Sequence, residues 1–151
     1  MRISIKSVSV ALVALFIASF GYSANVNIGE LVDQYKHATD LQRQELEKNF
    51  IGKKISASGI VENVGQYDFF DISNDTGGIY YKVLLQQQVT QNNVPYQVIL
   101  LYKDKDGVKD INRGQAMEKE GNIVKIVDEK LQVAVWVYNG ELTDRERELF
   151  K

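Results

Sequence analysis

The stretch Gly52-Lys53-Lys54-Ile55-Ser56-Ala57-Ser58-Gly59-Ile60-Val61-Glu62-Asn63-Val64 decides how the rest of the chain reads. It is strand-like, and a second glycine, Gly59, follows its opening glycine by seven residues. The run Gly114 to Val127 repeats the spacing with Gly114 and Gly121. Glycine inside a strand weakens it and marks a bulge, a sharp coil or a close backbone approach. Two such strands in one small chain predict a closed, strongly curved sheet. In the first, Ile55, Ala57, Gly59 and Val61 share one face, and Ser56, Ser58, Ile60 and Glu62 share the other. The polar balance flips near Gly59, as in a strand that crosses from one sheet to another.

Downstream, Gly65-Gln66 reads as a tight connection into a second strand, Tyr67 to Ser73. Asn74 to Gly78 is a turn signal. Ile79 to Gln86 is a third strand, with Ile79, Tyr81, Val83 and Leu85 on one face. Amide-rich Gln86 to Asn93 reads as a loop or the end of a hairpin. Pro95, the only proline, opens a strand from Tyr96 to Lys103. Asp104 to Gly107 is a turn, and Val108 to Arg113 a connector of about one helical turn. After the glycine echo, Leu131, Val133, Val135 and Val137 form an inward stripe, with Gln132, Ala134, Trp136 and Tyr138 opposite.

Upstream, Ile28, Leu31, Val32 and Tyr35 recur at helical spacing. Thr39 and Gln42 form a capping box for a second helix with Leu46 and Phe50 on one face and Leu41 near it. Gly52 stops that helix. Thr143 and Glu146 make another capping box for a short charged C-terminal helix.

The first residues have the three parts of a secretory leader: basic Arg2 and Lys6, an uncharged apolar run from Val8 to Phe20, and small residues before a cut after Ser23. The apolar run is short for a membrane span, which needs about 20 residues. Cleavage leaves 16 Lys plus Arg against 20 Asp plus Glu, a net charge of −4. Exported and acidic, the chain is a poor candidate for phosphate neutralisation. It has no cysteine, hence no disulfide, thiolate ligand or cysteine nucleophile, and one histidine, His37. The reading divides the chain into a leader (1–23), a helical segment (24–51), a β domain (52–142) and a C-terminal helix (143–151).

Strand count, the two glycine-kinked strands and the connector before the second of them resemble the OB-fold, a five-stranded Greek-key barrel. The resemblance rests most on the stretch from Gly52 to Val61 and on Tyr67 to Tyr80, and covers roughly Phe50 to Leu142. The latter looks like the strand-turn-strand of exported bacterial OB-fold proteins. The helix running into Phe50-Ile51-Gly52-Lys53-Lys54 looks like the lead-in of tRNA anticodon-binding-like OB domains. Val94 to Lys103 departs from both as an extra strand or an extension of the third. The resemblance implies a mainly β, OB-like barrel with N-terminal helices and a short C-terminal helix, binding its ligand across strands two and three.

For catalysis, His37 is the sole imidazole base, and no Gly-x-Ser-x-Gly elbow accompanies it. Asp71-x-Ser73-x-Asp75 and Asp104-x-Asp106-Gly107 fail the calcium-loop pattern and read as turn residues. No catalytic residue, metal ligand or cofactor is expected. The remaining signal is aromatic. Tyr67, Phe69, Tyr80 and Lys82 would form a platform on the strand two–three face, where aromatics stack on bases or sugars. Trp136 and Tyr138, opposite the valine stripe, are expected off the main core, either on that surface or under the N-terminal helices. Aromatic residues also fill cores, so at least half of the strand aromatics must be structural. The resulting expectation is an exported, non-enzymatic protein that binds a protein or glycan ligand, with single-stranded oligonucleotide as the alternative. No membrane span remains after cleavage, and the oligomeric state is left open.

Overall fold

The computed structural model describes residues 26–69 and 78–149. The leader, Asp71, Ser73, Asp75 and the proposed turn at residues 74–77 lie outside them, as do the side chains of Phe69 and Ile79. Among the described residues the protein is mainly β, with six strands in one mixed sheet and three α-helices.

Helix α1 (Ile28–His37) is capped by the Asn27 side chain, which accepts from the Glu30 N–H. Its stripe of Ile28, Leu31, Val32 and Tyr35 is buried, as the spacing predicts. Helix α2 (Asp40–Phe50) starts with the expected Thr39–Gln42 capping box and buries Leu46 and Phe50. Leu41 is 75% exposed and takes no part in that face. It sits in the first turn of the helix. After the helix, Gly52 adopts φ 86° and its N–H reaches the Ile123 carbonyl at 2.7 Å. That left-handed step turns the chain from helix into sheet.

Strand β1 (Lys54–Phe69) is continuous over 16 residues. The tight connection expected at Gly65-Gln66 is therefore absent: both residues stay in register, opposite Lys82 and Tyr81. The first and second expected strands are one strand. The segment that looked like an extra strand, β4 (Pro95–Tyr102), is consequently a principal one. The sixth strand is the two-residue β3 (Gln88–Val89), which pairs with the start of β4.

The long strand changes partner midway. Lys54 to Ile60 pair antiparallel with β5 (Ala116–Glu129), and Val61 to Phe69 pair antiparallel with β2 (Gly78–Leu85). A register shift between Val61 and Asn63 follows the exchange. β5 does the same. It leaves β1 for β6 (Gln132–Tyr138) at Asn122, and its register shifts between Ile123 and Lys125. β2 also pairs with β4, and β4 lies parallel to β6. Each of the five long strands thus has neighbours on two sides.

Close packing demands glycine at 121 and leaves little room for a side chain at 59. A Cβ on Gly121 would lie 2.5 Å from the Tyr138 carbonyl oxygen and 2.7 Å from Val137 Cγ1. One on Gly59 would lie 2.8 Å from Gln88 Nε2 and 3.2 Å from Leu85 Cδ1. The echo in the sequence marks two places where a strand lets a neighbour approach its backbone.

The main core lies between these strands and the helices. Ile55, Ala57, Val61, Val83, Leu85, Val98, Leu100, Ile123, Val133, Val135 and Val137 fill it with α1 and α2. Leu131 is not part of the valine stripe. It is 85% exposed, in the turn before β6. A charged clamp fastens the helices to β5, where Asp128 accepts from Lys36 Nζ (2.6 Å) and Arg43 Nη2 (2.8 Å). The Tyr35 hydroxyl donates to Glu47 Oε1 at 2.6 Å, and the Arg43 guanidinium lies over its ring. The Lys36 bond holds the Asp128 carboxyl below the usual carboxylate range. Burial opposes this, and Arg43 adds to it.

Candidate functional site: an aromatic face closed by the C-terminal helix

Alternation places Val133, Val135 and Val137 in the main core and Gln132, Trp136 and Tyr138 on the opposite face of β6. There a second apolar cluster forms. Tyr80, Leu101, Val124 and Tyr138 are its buried members, and Tyr67, Trp136 and Leu142 pack against them. Four of the six side chains singled out in the sequence therefore come together. The Tyr67 and Trp136 rings are 5.2 Å apart at 52°, and Tyr80 and Tyr138 meet edge to face at 6.3 Å. Lys82 Nζ stands 5.9 Å above the Tyr67 ring.

Five of the six, all but Phe69, divide by exposure. Tyr80 and Tyr138 are buried and act as support. Tyr67, Lys82 and Trp136 are half-buried and carry the accessible surface. Trp136 and Tyr138 do not pack under the N-terminal helices, because those helices cover the other face of β6, with Val133, Val135 and Val137. The Tyr138 hydroxyl donates to Glu146 Oε1 at 3.0 Å, from the short helix α3 (Asp144–Leu149). Glu146 Oε2 accepts from the Thr143 N–H (2.8 Å) and hydroxyl (2.9 Å), and Lys103 Nζ lies 3.6 Å from Oε1. The capping box exists as read, but its glutamate is 4% exposed, not a solvated charge. Burial pushes the Glu146 carboxyl up. The bonds from Thr143 and Tyr138, with Lys103, outweigh this and leave it below the ordinary range. Burial, followed by the bond to Glu146, pushes the Tyr138 phenol up.

Beside Trp136 the same face continues across Ile99 and Leu84 on β4 and β2, and across Lys125 on β5. A line of amides borders it. Gln87 Nε2 donates to Gln132 Oε1 (2.8 Å), Gln132 Nε2 to Gln97 Oε1 (3.0 Å), and Gln97 Nε2 to Glu62 Oε2 (2.9 Å). Pattern placed Gln132 on the Trp136 face and Glu62 on the face of the first strand opposite Ile55, Ala57 and Val61. Gln97 and Glu62 come from strands distant in sequence, and no local signal joins them.

His37 is exposed at the end of α1, with Nδ1 2.8 Å from the Asp33 carbonyl. Asp106 lies in an exposed one-turn helix (Lys105–Gly107), 3.3 Å from Lys109. Among the described residues there is no group of three or more His, Asp or Glu that could hold a metal ion. No helix among them is long and apolar enough to cross a membrane. The chain matches no protein-family model, no curated protein and no solved structure.

Proposed function

We propose that this chain is an exported, non-enzymatic binding protein, built on an OB-like Greek-key barrel, that recognises a protein or glycan ligand through its aromatic face. The order of pairings supports the barrel. Following neighbours gives β1, β2, β4, β6, β5 and β1 again, with β4 and β6 parallel. Five strands so joined are the number and kind the OB scheme requires. On that scheme β2 and β4 are its second and third strands, and their outer face carries Lys82, Leu84 and Ile99 beside Trp136 on β6. The observation that carries the binding role is the half-buried Tyr67–Trp136 pair under the Lys82 ammonium. It is an apolar, rigid contact surface with a donor at its edge, and it is already seated on buried Tyr80 and Tyr138. Export rests on the leader anatomy of residues 1–23.

Lys82 above Tyr67 and Lys125 beside Trp136 favour a second reading, a single-stranded oligonucleotide stacked on the same rings. Trp136 is the only tryptophan, so its emission reports on the site directly. Titrating the mature protein with cell-wall glycans and with oligonucleotides at two salt concentrations separates the readings. Salt-sensitive quenching by oligonucleotide alone replaces the first with the second. Turnover of any of these ligands would refute the non-enzymatic assignment. Intact mass of the exported protein tests the leader, and retention of residues 1–23 would contradict it.

A further inference from the structure

A cleft of about 430 Å³ opens next to the aromatic face. One wall is the end of α2, with Glu47, Ile51 and Gly52. The floor is Val124, Lys125 and Ile126 of β5. The other wall is Leu142 and Arg147, on and just before α3. This volume lies within the usual range for a site that receives a ligand group, about 300–1,000 Å³.

Three observations say what kind of group. The cleft is apolar at its centre, and Ile51 remains 42% exposed on its rim. Its charged lining is cationic in balance: among the described residues Lys125 and Arg147 take part in no ion pair, while Glu47 Oε1 already accepts from Tyr35. The two cations thus flank the apolar part of the cleft and can meet carboxylates of a ligand seated there. The cleft is also continuous with the aromatic face. Val124 and Leu142 belong to the cluster under Tyr67 and Trp136, and Lys125 is the cross-strand neighbour of Trp136. An elongated ligand can place one apolar side chain in the cleft and run on over Trp136.

We infer that the cleft and the aromatic face form one docking groove for an extended segment of a partner protein, in which carboxylates flank apolar side chains. This rests on the binding reading above and narrows it to a protein ligand. An apolar side chain fills the space over Val124, between Ile51 and Leu142. Flanking carboxylates meet Lys125 and Arg147, and the continuing chain covers Trp136 and Tyr67. The charges steer and orient the segment, and the apolar contacts hold it.

Three probes test this through Trp136 emission: a short synthetic peptide alternating leucine with glutamate, its glutamine counterpart, and dodecanoate. The glutamate peptide should bind with a salt-sensitive affinity, roughly tenfold above the glutamine peptide. The paired reversal Lys125→Glu with Arg147→Glu should erase that preference without loss of folding, since both side chains are exposed. Equal binding of the two peptides, or an unchanged preference in the reversed variant, overturns the inference. Dodecanoate binding more tightly than the glutamate peptide also overturns it, making the cleft a site for a small amphiphile. Response to glycan with none to peptide refutes the cleft assignment and leaves the aromatic-face reading standing. Silence towards peptide, glycan and oligonucleotide refutes both.

Discussion

The contact between Tyr138 and Glu146 fixes the C-terminal helix over the aromatic face, and its removal has a calculable cost. Glu146→Ala deletes the acceptor of three hydrogen bonds, at 3.0, 2.8 and 2.9 Å. One donor, the Tyr138 hydroxyl, is buried and would be left without its Glu146 acceptor, at about 1–3 kcal/mol. The Thr143 donors are exposed and recover water, so losing the reciprocal cap adds only about 0.5–1 kcal/mol. Lys103 is mostly exposed, and its loss adds little. The expected total is about 2–4 kcal/mol. Tyr138→Phe removes the hydroxyl but leaves Glu146 its Thr143 partners, and should cost about 1 kcal/mol. On the phenylalanine background Glu146→Ala no longer takes the acceptor from a buried hydroxyl. The two changes should therefore couple by about 1–2 kcal/mol. Urea unfolding followed by Trp136 emission measures all four corners of the cycle. Tyr102→Phe is the internal control. Its hydroxyl is buried with no hydrogen-bond partner among the described residues, so removing it should be neutral or stabilising. Additivity within about 0.3 kcal/mol, or equal costs for Tyr138→Phe and Tyr102→Phe, would refute the reasoning.

Asp128 and Glu146 both hold their protons less firmly folded than unfolded, so each stabilises above the unfolded carboxylate pKa of about 4. That contribution fades as pH falls through the depressed folded values. Thermal melts of Asp128→Asn should show a lower Tm at neutral pH and a shallower acid loss below about pH 4 than the parent; an unchanged acid slope would count against the clamp. Gly121→Ala, which forces a Cβ onto the Tyr138 carbonyl, should cost about 2–3 kcal/mol in denaturant unfolding. Gly65→Ala, with open space around it, should stay within about 1 kcal/mol of the parent, and comparable losses would contradict the assignment of Gly121 as the close approach. Tyr67→Ala should weaken any ligand that quenches Trp136 by about tenfold while lowering stability far less than Tyr80→Ala, because only the second ring is buried. The reverse order would place the ligand elsewhere.

Local chemistry made much of the architecture readable. The Thr39–Gln42 and Thr143–Glu146 caps, the stop at Gly52, the buried stripes of α1 and β6 and the two mid-strand glycines follow from patterns a few residues long. What escaped depends on partners distant in sequence. Gly65-Gln66 has turn composition, yet β2 pairs with both residues, and the ladder keeps β1 extended. Leu41 and Leu131 carry the correct period but stand at element ends where nothing faces them. In the site, Tyr67 and Tyr80 are cross-strand neighbours of one residue type, yet one is half-exposed and the other buried. Tyr80 is buried in a cluster with Leu101 and Tyr138, which lie on other strands, whereas Tyr67 packs against that cluster and is only partly buried. The role of Glu146 was hidden for a similar reason. A capping box reveals one bond of a glutamate, whereas its burial is decided by Tyr138.

The glycine echo that shapes the sheet also builds the candidate site. Gly121 lets β5 pass close to the end of β6 and exchange partners there. The register shift that follows inserts Val124 between two paired residues, so Val124 and Lys125 both face outward before Ile126 turns back to the core. A regular strand would put one residue there, not two. The extra one is what supplies an apolar floor residue and a cation side by side, directly beneath Leu142 and next to Trp136. Curvature and recognition surface therefore have a common origin in β5. A change that straightened this strand would remove the ammonium from beside Trp136 as surely as replacing the lysine.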